Sequence, residues 1–119
     1  MMIVLGTHNR KKGLELAEVL AATGVEVRTL ADFSEAIEVA EDGRTFADNA
    51  RRKATVQAKH LGRWVLGEDS GLMVDALDGA PGVYSARFSG PDATDESNNR
   101  LLLDKLAGLL PDRRTAAYV

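Results

Sequence analysis

The chain has 119 residues, 45% of them hydrophobic, and a formal charge of -3 from 15 Lys and Arg against 18 Asp and Glu. That suits one soluble domain with a modest core and argues against a surface that grips a nucleic acid polymer along its length, while leaving room for a local basic pocket. The absence of cysteine excludes disulfides and thiolate ligation, and two isolated histidines argue against a zinc cluster, so any metal would be hard and oxygen-bound.

Met1 to Leu5 is a short apolar run ending at Gly6, the pattern of a strand buried on both faces of an α/β sheet. It is too short for a signal peptide and is followed, not preceded, by charge; no stretch approaches membrane-spanning length. The expected compartment is the cytoplasm, with no membrane partner.

From about Arg10 to Ala22 the spacing of Leu14, Ala17 and Leu20 or Ala21 predicts a helix with Lys11, Lys12, Glu15 and Glu18 on its polar face, closed by Gly24. A strand exit that turns through Thr7-His8-Asn9 into this helix would gather free backbone N–H groups, the positive end of the helix dipole and lysines, an anion site in outline. The spacing is neither a Walker loop nor a dinucleotide fingerprint, and the alternative is that Asn9 caps the helix beside solvated lysines.

Val25 to Leu30 alternates and reads as a second strand, and Ala31 to Asp42 as an acidic loop. Thr45-Phe46-Ala47-Asp48 has the form of a capping box with Asp for Glu, opening a helix to about Leu61. Its expected buried face is Phe46, Ala50, Ala54, Ala58 and Leu61, whose alanines allow close approach of a neighbour. Lys53 stands four positions after Asn49, on a similar face. Arg51, Arg52 and Lys59 read as solvated surface.

Next comes the stretch with the most chemistry. Trp64-Val65-Leu66 predicts a buried strand running into Gly67-Glu68-Asp69-Ser70-Gly71-Leu72. Two adjacent carboxylates there would be costly to bury without a cation or substrate to compensate them. An ordinary strand-to-turn exit has a similar composition. Gly79 to Gly90 packs Gly79, Pro81, Gly82 and Gly90 into a structured loop in which Tyr84, Arg87 and Phe88 should pack or bind. A third helix is expected from Asp92 or Thr94 to about Leu106, with Leu102, Leu106 and Leu109 as its stripe, and Arg113 to Val119 begins a further strand. The order of elements points to an α/β domain spanning residues 1–119.

Three separated segments resemble one family. Thr7-His8-Asn9-Arg10-Lys11-Lys12 is similar to its Thr-x-Asn-x-x-Lys motif. Glu41-Asp42-Gly43-Arg44-Thr45-Phe46-Ala47-Asp48-Asn49-Ala50-Arg51-Arg52-Lys53-Ala54 resembles its Gly-x-Thr-Phe-x-x-Asn-Ala-x-x-Lys-Ala segment. Glu68-Asp69-Ser70-Gly71-Leu72 through Gly79-Ala80-Pro81-Gly82-Val83-Tyr84-Ser85-Ala86-Arg87 is similar to its most diagnostic signature. The family is that of the inosine triphosphate pyrophosphatases, also described as XTP/dITP diphosphatases. The departures are His8 where glycine is common and Glu68 where aspartate is. Segments like the family's C-terminal, base-holding half have no counterpart in this chain.

The resemblance implies a mixed central sheet flanked by helices, an inosine triphosphatase-like fold with its C-terminal portion absent, and thus an incomplete domain. It implies hydrolysis of noncanonical purine nucleoside triphosphates (ITP, dITP, XTP) to the monophosphate and pyrophosphate. Asp69 would be the general base; Thr7, His8, Asn9, Arg10, Lys11, Lys12, Lys53 and Ser70 would bind substrate; Glu41, Asp69 and Glu68 would hold magnesium. The expected partner beyond the small-molecule nucleotide is a second copy of the chain, as a homodimer. A different class of reading is an impaired half-module that binds nucleotide phosphates or acts only with another chain. A pyrophosphatase of the Maf type is a further alternative, but it lacks the Asp-Ser-Gly signature.

Overall fold

Strand β1 (Met2–Leu5) is the central strand of a three-stranded parallel sheet, with β2 (Glu26–Thr29) on one side and β3 (Val65–Leu66) on the other. Its central place explains its apolar run: Val4 is 0% and Leu5 4% exposed. β3 is an edge strand, and Trp64 and Leu66 are exposed, so the expectation of a fully buried strand is corrected there.

The computed structural model describes all 119 residues, whose contacts fall into two units, Met1–Asp69 and Ser70–Val119. The first unit holds the parallel sheet and two helices, α1 (Arg10–Leu20) and α2 (Phe46–Leu61). Asn9 caps α1, its Oδ1 accepting the Lys11 and Lys12 N–H groups at 3.0 and 3.4 Å. The inward face of α1 is set by a glycine: Gly13 is buried, and a Cβ there would lie 2.3 Å from Thr29 Cγ2 on β2. Leu14, expected in the core, is exposed, because the face centred on Gly13, Leu16, Ala17 and Leu20 is the one that meets the sheet. A left-handed Gly24 then ends the turn after α1, as the sequence indicates.

Thr45 caps α2 through the Asp48 N–H at 3.0 Å, and Gly62 ends it in the left-handed conformation. Ala50 and Ala54 allow the close approach expected of them: a Cβ on Gly67 would lie 2.0 Å from the Ala50 carbonyl oxygen. The most buried residues of α2, however, are polar, Asn49 at 0% and Gln57 at 1% exposure. A 3-10 turn, Leu30–Asp32, follows β2; there Asp32 accepts the Thr29 N–H and pairs with Arg10 at 2.8 Å. The Thr29 N–H first, and Arg10 second, hold the Asp32 carboxyl below its ordinary value of 3.8. Its contribution to stability is therefore present above that value and is lost as the pH falls through the lowered one.

The second unit is built on an antiparallel pair, β4 (Leu72–Val74) and β5 (Ala116–Tyr118), with helix α3 (Asp95–Lys105) capped by Thr94. Val74, Pro81 and Leu106 are buried in it. The loop after β4 is ordered as expected: Ser85 Oγ accepts the Leu72 N–H at 2.9 Å, and Asn98 of α3 donates to the Ser85 and Ala86 carbonyls, each at 3.1 Å. Arg87 stacks over the Tyr84 ring at 5.0 Å. No helix of the structure is long and apolar enough to cross a membrane.

The tight seam between β3 and α2 gives a direct test. Gly67→Ala should destabilise by about 3 kcal/mol, because the neighbour in its way is backbone. Gly62→Ala, strained but with nothing within 4 Å, should cost only about 1 kcal/mol in the same thermal unfolding assay. Equal losses would show that the seam is not close-packed.

Candidate functional site

Parallel β1 and β3 end side by side, with Leu5 paired to Leu66, so the turns that follow them emerge together at the carboxyl edge of the sheet. In open α/β sheets the crevice beyond these ends, where neighbouring strands lead the chain to opposite sides, is where ligands bind. β1 delivers Gly6-Thr7-His8 and β3 delivers Gly67-Glu68-Asp69. Alongside them α2 presents Asn49, Lys53 and Gln57, spaced by four and therefore stacked on one face.

Lys53 is the hub. Its side chain is 14% exposed, and its ammonium pairs with Glu41, lies 3.6 Å from Asp69 Oδ1, and donates to the Glu68 carbonyl at 3.0 Å. The second Asp69 oxygen accepts from Asn49 Nδ2 at 3.1 Å, and Asn49 Oδ1 in turn accepts the Gly43 N–H at 2.8 Å. One buried amide thus fixes both the carboxylate after β3 and the chain entering α2. The Glu68 carboxylate turns the other way, to Lys12 Nζ at 2.7 Å. Beside this cluster lies a cavity of about 250 Å³, lined by Gly6, Thr7, His8, Leu30, Ile37, Glu38, Val39, Glu41, Lys53 and Gln57.

Of the residues singled out in the sequence, Lys12, Glu41, Lys53, Glu68 and Asp69 are brought together, and Thr7 and His8 line the cavity. Arg10 reaches instead to Asp32 and to the Ala31 carbonyl at 3.2 Å. The Asn9 amide oxygen is spent on the helix cap, which leaves its Nδ2 group for a ligand, and Lys11 is exposed on the first turn of α1. Ser70 belongs to the second unit, where its hydroxyl lies 3.2 Å from that of Tyr118. The sequence leaves Asn49 and Gln57 without a role: a spacing of four puts them on the Lys53 face, but only their partners, Asp69 and Ile37, separate them from surface residues.

The carboxylates do not converge as a ready-made cluster: no group of three or more acidic or imidazole side chains surrounds one point, and Lys53 stands between Glu41 and Asp69. The donor set nonetheless fits a hard cation. Three carboxylates, Glu41, Glu68 and Asp69, lie with the Lys12 and Lys53 ammonium groups, and every prospective ligand is oxygen.

Comparison with known proteins defines the class. The Ham1 family description matches residues 3–119, and the chain belongs to that family, as its three motifs suggest. It is 54% identical over 116 residues to a protein of Rhodopirellula baltica named dITP/XTP pyrophosphatase, covering 98% of this chain and 56% of that one. A protein of the same name from Listeria monocytogenes is 50% identical, with 98% and 57% covered. The chain thus spans a little over half the length of these relatives. Among solved structures, a HAM1 protein from Coxiella burnetii superposes with a TM-score of 0.88 at 36% identity, covering 99% of this chain and 59% of that one. A nucleoside-triphosphatase (dITP/XTP pyrophosphatase) from Mycobacterium abscessus gives 0.83 at 46% identity, with 99% and 62% covered. The inosine triphosphatase-like fold expected from the motifs is the fold observed.

If Lys53 balances charge that a cation can also balance, its loss should be repaired by one. Lys53→Met should lower stability by about 2 kcal/mol by removing the ammonium that Glu41 and Asp69 share. Millimolar magnesium should then raise the melting temperature of the variant more than that of the parent chain. A magnesium response equal in both would contradict the charge balance.

Proposed function

We propose that the cluster at the ends of β1 and β3 is the phosphate and metal half of a nucleoside triphosphate pyrophosphatase site. It would act on noncanonical purine nucleotides such as ITP, dITP and XTP, releasing the monophosphate and pyrophosphate in a cytoplasmic, magnesium-dependent homodimer. The observation that carries this reading is the grouping of Asp69, Lys53, Glu41 and the Lys12–Glu68 pair in one crevice. The names of the relatives, dITP/XTP pyrophosphatase, point to the same chemistry.

Cleavage between the α and β phosphates needs charge neutralisation, an oriented water and a stabilised leaving group. Asp69, held by Asn49 on one oxygen and facing Lys53 with the other, is the group to accept the proton of the attacking water. Lys12 and the α1 N-terminus face the phosphates, and a triphosphate arriving there competes with Glu68 for the Lys12 ammonium. Thr7, His8 and the side-chain amide N–H of Asn9 add directional donors, and Lys53 a second cation. Ser70 would complete the set with a hydrogen bond to substrate. Glu41, Glu68 and Asp69 would hold magnesium, which when bound neutralises phosphate oxygens and the developing pyrophosphate charge.

The second reading is a half-module that binds nucleotide phosphates without turnover, or turns over only with another chain. It is favoured by the state of the side chains: the cations that would meet phosphates are in place, while the carboxylates do not surround one point.

Steady-state kinetics with ITP test the assignments. Asp69→Asn should retain the fold and lose turnover by about a thousandfold. Lys12→Ala should raise the KM by about tenfold, with a smaller effect on kcat, since it removes a phosphate contact made in the ground state. An active Asp69→Asn variant would sink the mechanism, and an unchanged KM in Lys12→Ala the phosphate cradle.

A further inference from the structure

Between Asp32 and the start of α2 at Phe46, the chain forms no helix or strand that lasts, yet it is ordered along the length of α2. Phe33 lies under the Arg63 guanidinium at 5.9 Å, and the Glu35 carbonyl meets His60 Nε2 at 2.6 Å. Ile37 meets Gln57, Glu41 meets Lys53, Asp42 meets Arg52 and Gly43 meets Asn49. Strap numbers rise as helix numbers fall, so the strap runs antiparallel to α2 and is held by side chains alone.

The Phe33–Arg63, Glu35–His60 and Asp42–Arg52 contacts are at the surface, where each is worth about 1 kcal/mol or less. Asn49 and Lys53 hold the end of the strap from inside, and Gln57 holds its middle. Gln57 is 1% exposed, and its amide engages both backbone groups of Ile37, donating to the carbonyl and accepting the N–H at 3.5 Å. A buried amide with both ends used on one residue sets register: a shift of the strap by a single position would leave polar groups unpaired. Ile37, Glu38, Val39 and Glu41 of the strap, together with Gln57, form one wall of the 250 Å³ cavity. Where the strap lies decides where that wall stands and where Glu41 meets Lys53.

We propose that Gln57 is a positioning residue, the clamp that fixes the 33–43 strap as the wall of the nucleotide pocket. Its effect on activity rests on the pyrophosphatase reading; its effect on the strap does not. Gln57→Met keeps the volume and removes both hydrogen bonds. Native-state digestion with a glutamate-specific protease reads the strap at Glu38 and Glu41, with Glu15 and Glu18 on α1 as internal reference. Cleavage in the strap should quicken about tenfold with the α1 sites unchanged, and the KM for ITP should rise about tenfold with kcat within about threefold. Gln57→Glu keeps an acceptor for the Ile37 N–H and should fall between; it is read the same way if Gln57→Met does not fold. Equal strap cleavage in the parent and the folded variant would overturn the clamp, as would a loss in kcat at constant KM. If the parent chain turns over no ITP, the pyrophosphatase reading fails and the cleavage ratio alone decides the clamp.

Discussion

The arrangement depends on one ammonium group that is largely removed from water. Lys53 is a four-carbon stem from α2, and its charge is shared among the Glu41 carboxylate, the Asp69 carboxylate and the Glu68 carbonyl. Desolvating such a group costs several kcal/mol, so the pairing does more to hold these groups in place than to add stability. Without Lys53 the carboxylates on the strap and after β3 would repel. With it they are kept close, and their oxygens are the kind of ligand a hard cation takes.

The sheet supplies the other half of the constraint. A central β1 with parallel neighbours on both sides brings the exits of β1 and β3 together, and Gly67 lets α2 lie against that exit at a distance no side chain would allow. Asn49, Lys53 and Gln57 then project from one helical face onto two segments, the acidic turn after β3 and the strap. One helix therefore sets the geometry of segments that have no regular structure of their own. Polar residues are the most buried on α2 because unpaired backbone and carboxylate groups, rather than apolar surface, are what its inner face meets.

Much of this was legible in the sequence, for physical reasons that differ by element. β1, the Asn9 and Thr45 caps and the Gly24 stop are written in local chemistry, and they fall where expected. The acidic pair after β3 stood out because carboxylates at a strand end demand compensation. On α1 Ala17 and Leu20 face inward as expected and Leu14 does not, because the position that meets Thr29 is Gly13, which has no side chain and carries no hydrophobic signal. Trp64 and Leu66 were expected inside because an apolar run says nothing about whether a strand is central or at an edge. The Gln57 clamp was missed because a lone glutamine on a helix reads as surface until the chain that crosses it is known.

The central claim is that this crevice performs phosphoanhydride chemistry on a noncanonical purine nucleotide. Pyrophosphate release from ITP and from ATP by the purified chain in magnesium, with Asp69→Asn as the blank, measures it most directly. Release from ITP well above that from ATP is the expected result. A folded chain that releases no more pyrophosphate than the blank would contradict it, and would leave a module that holds phosphates without cleaving them.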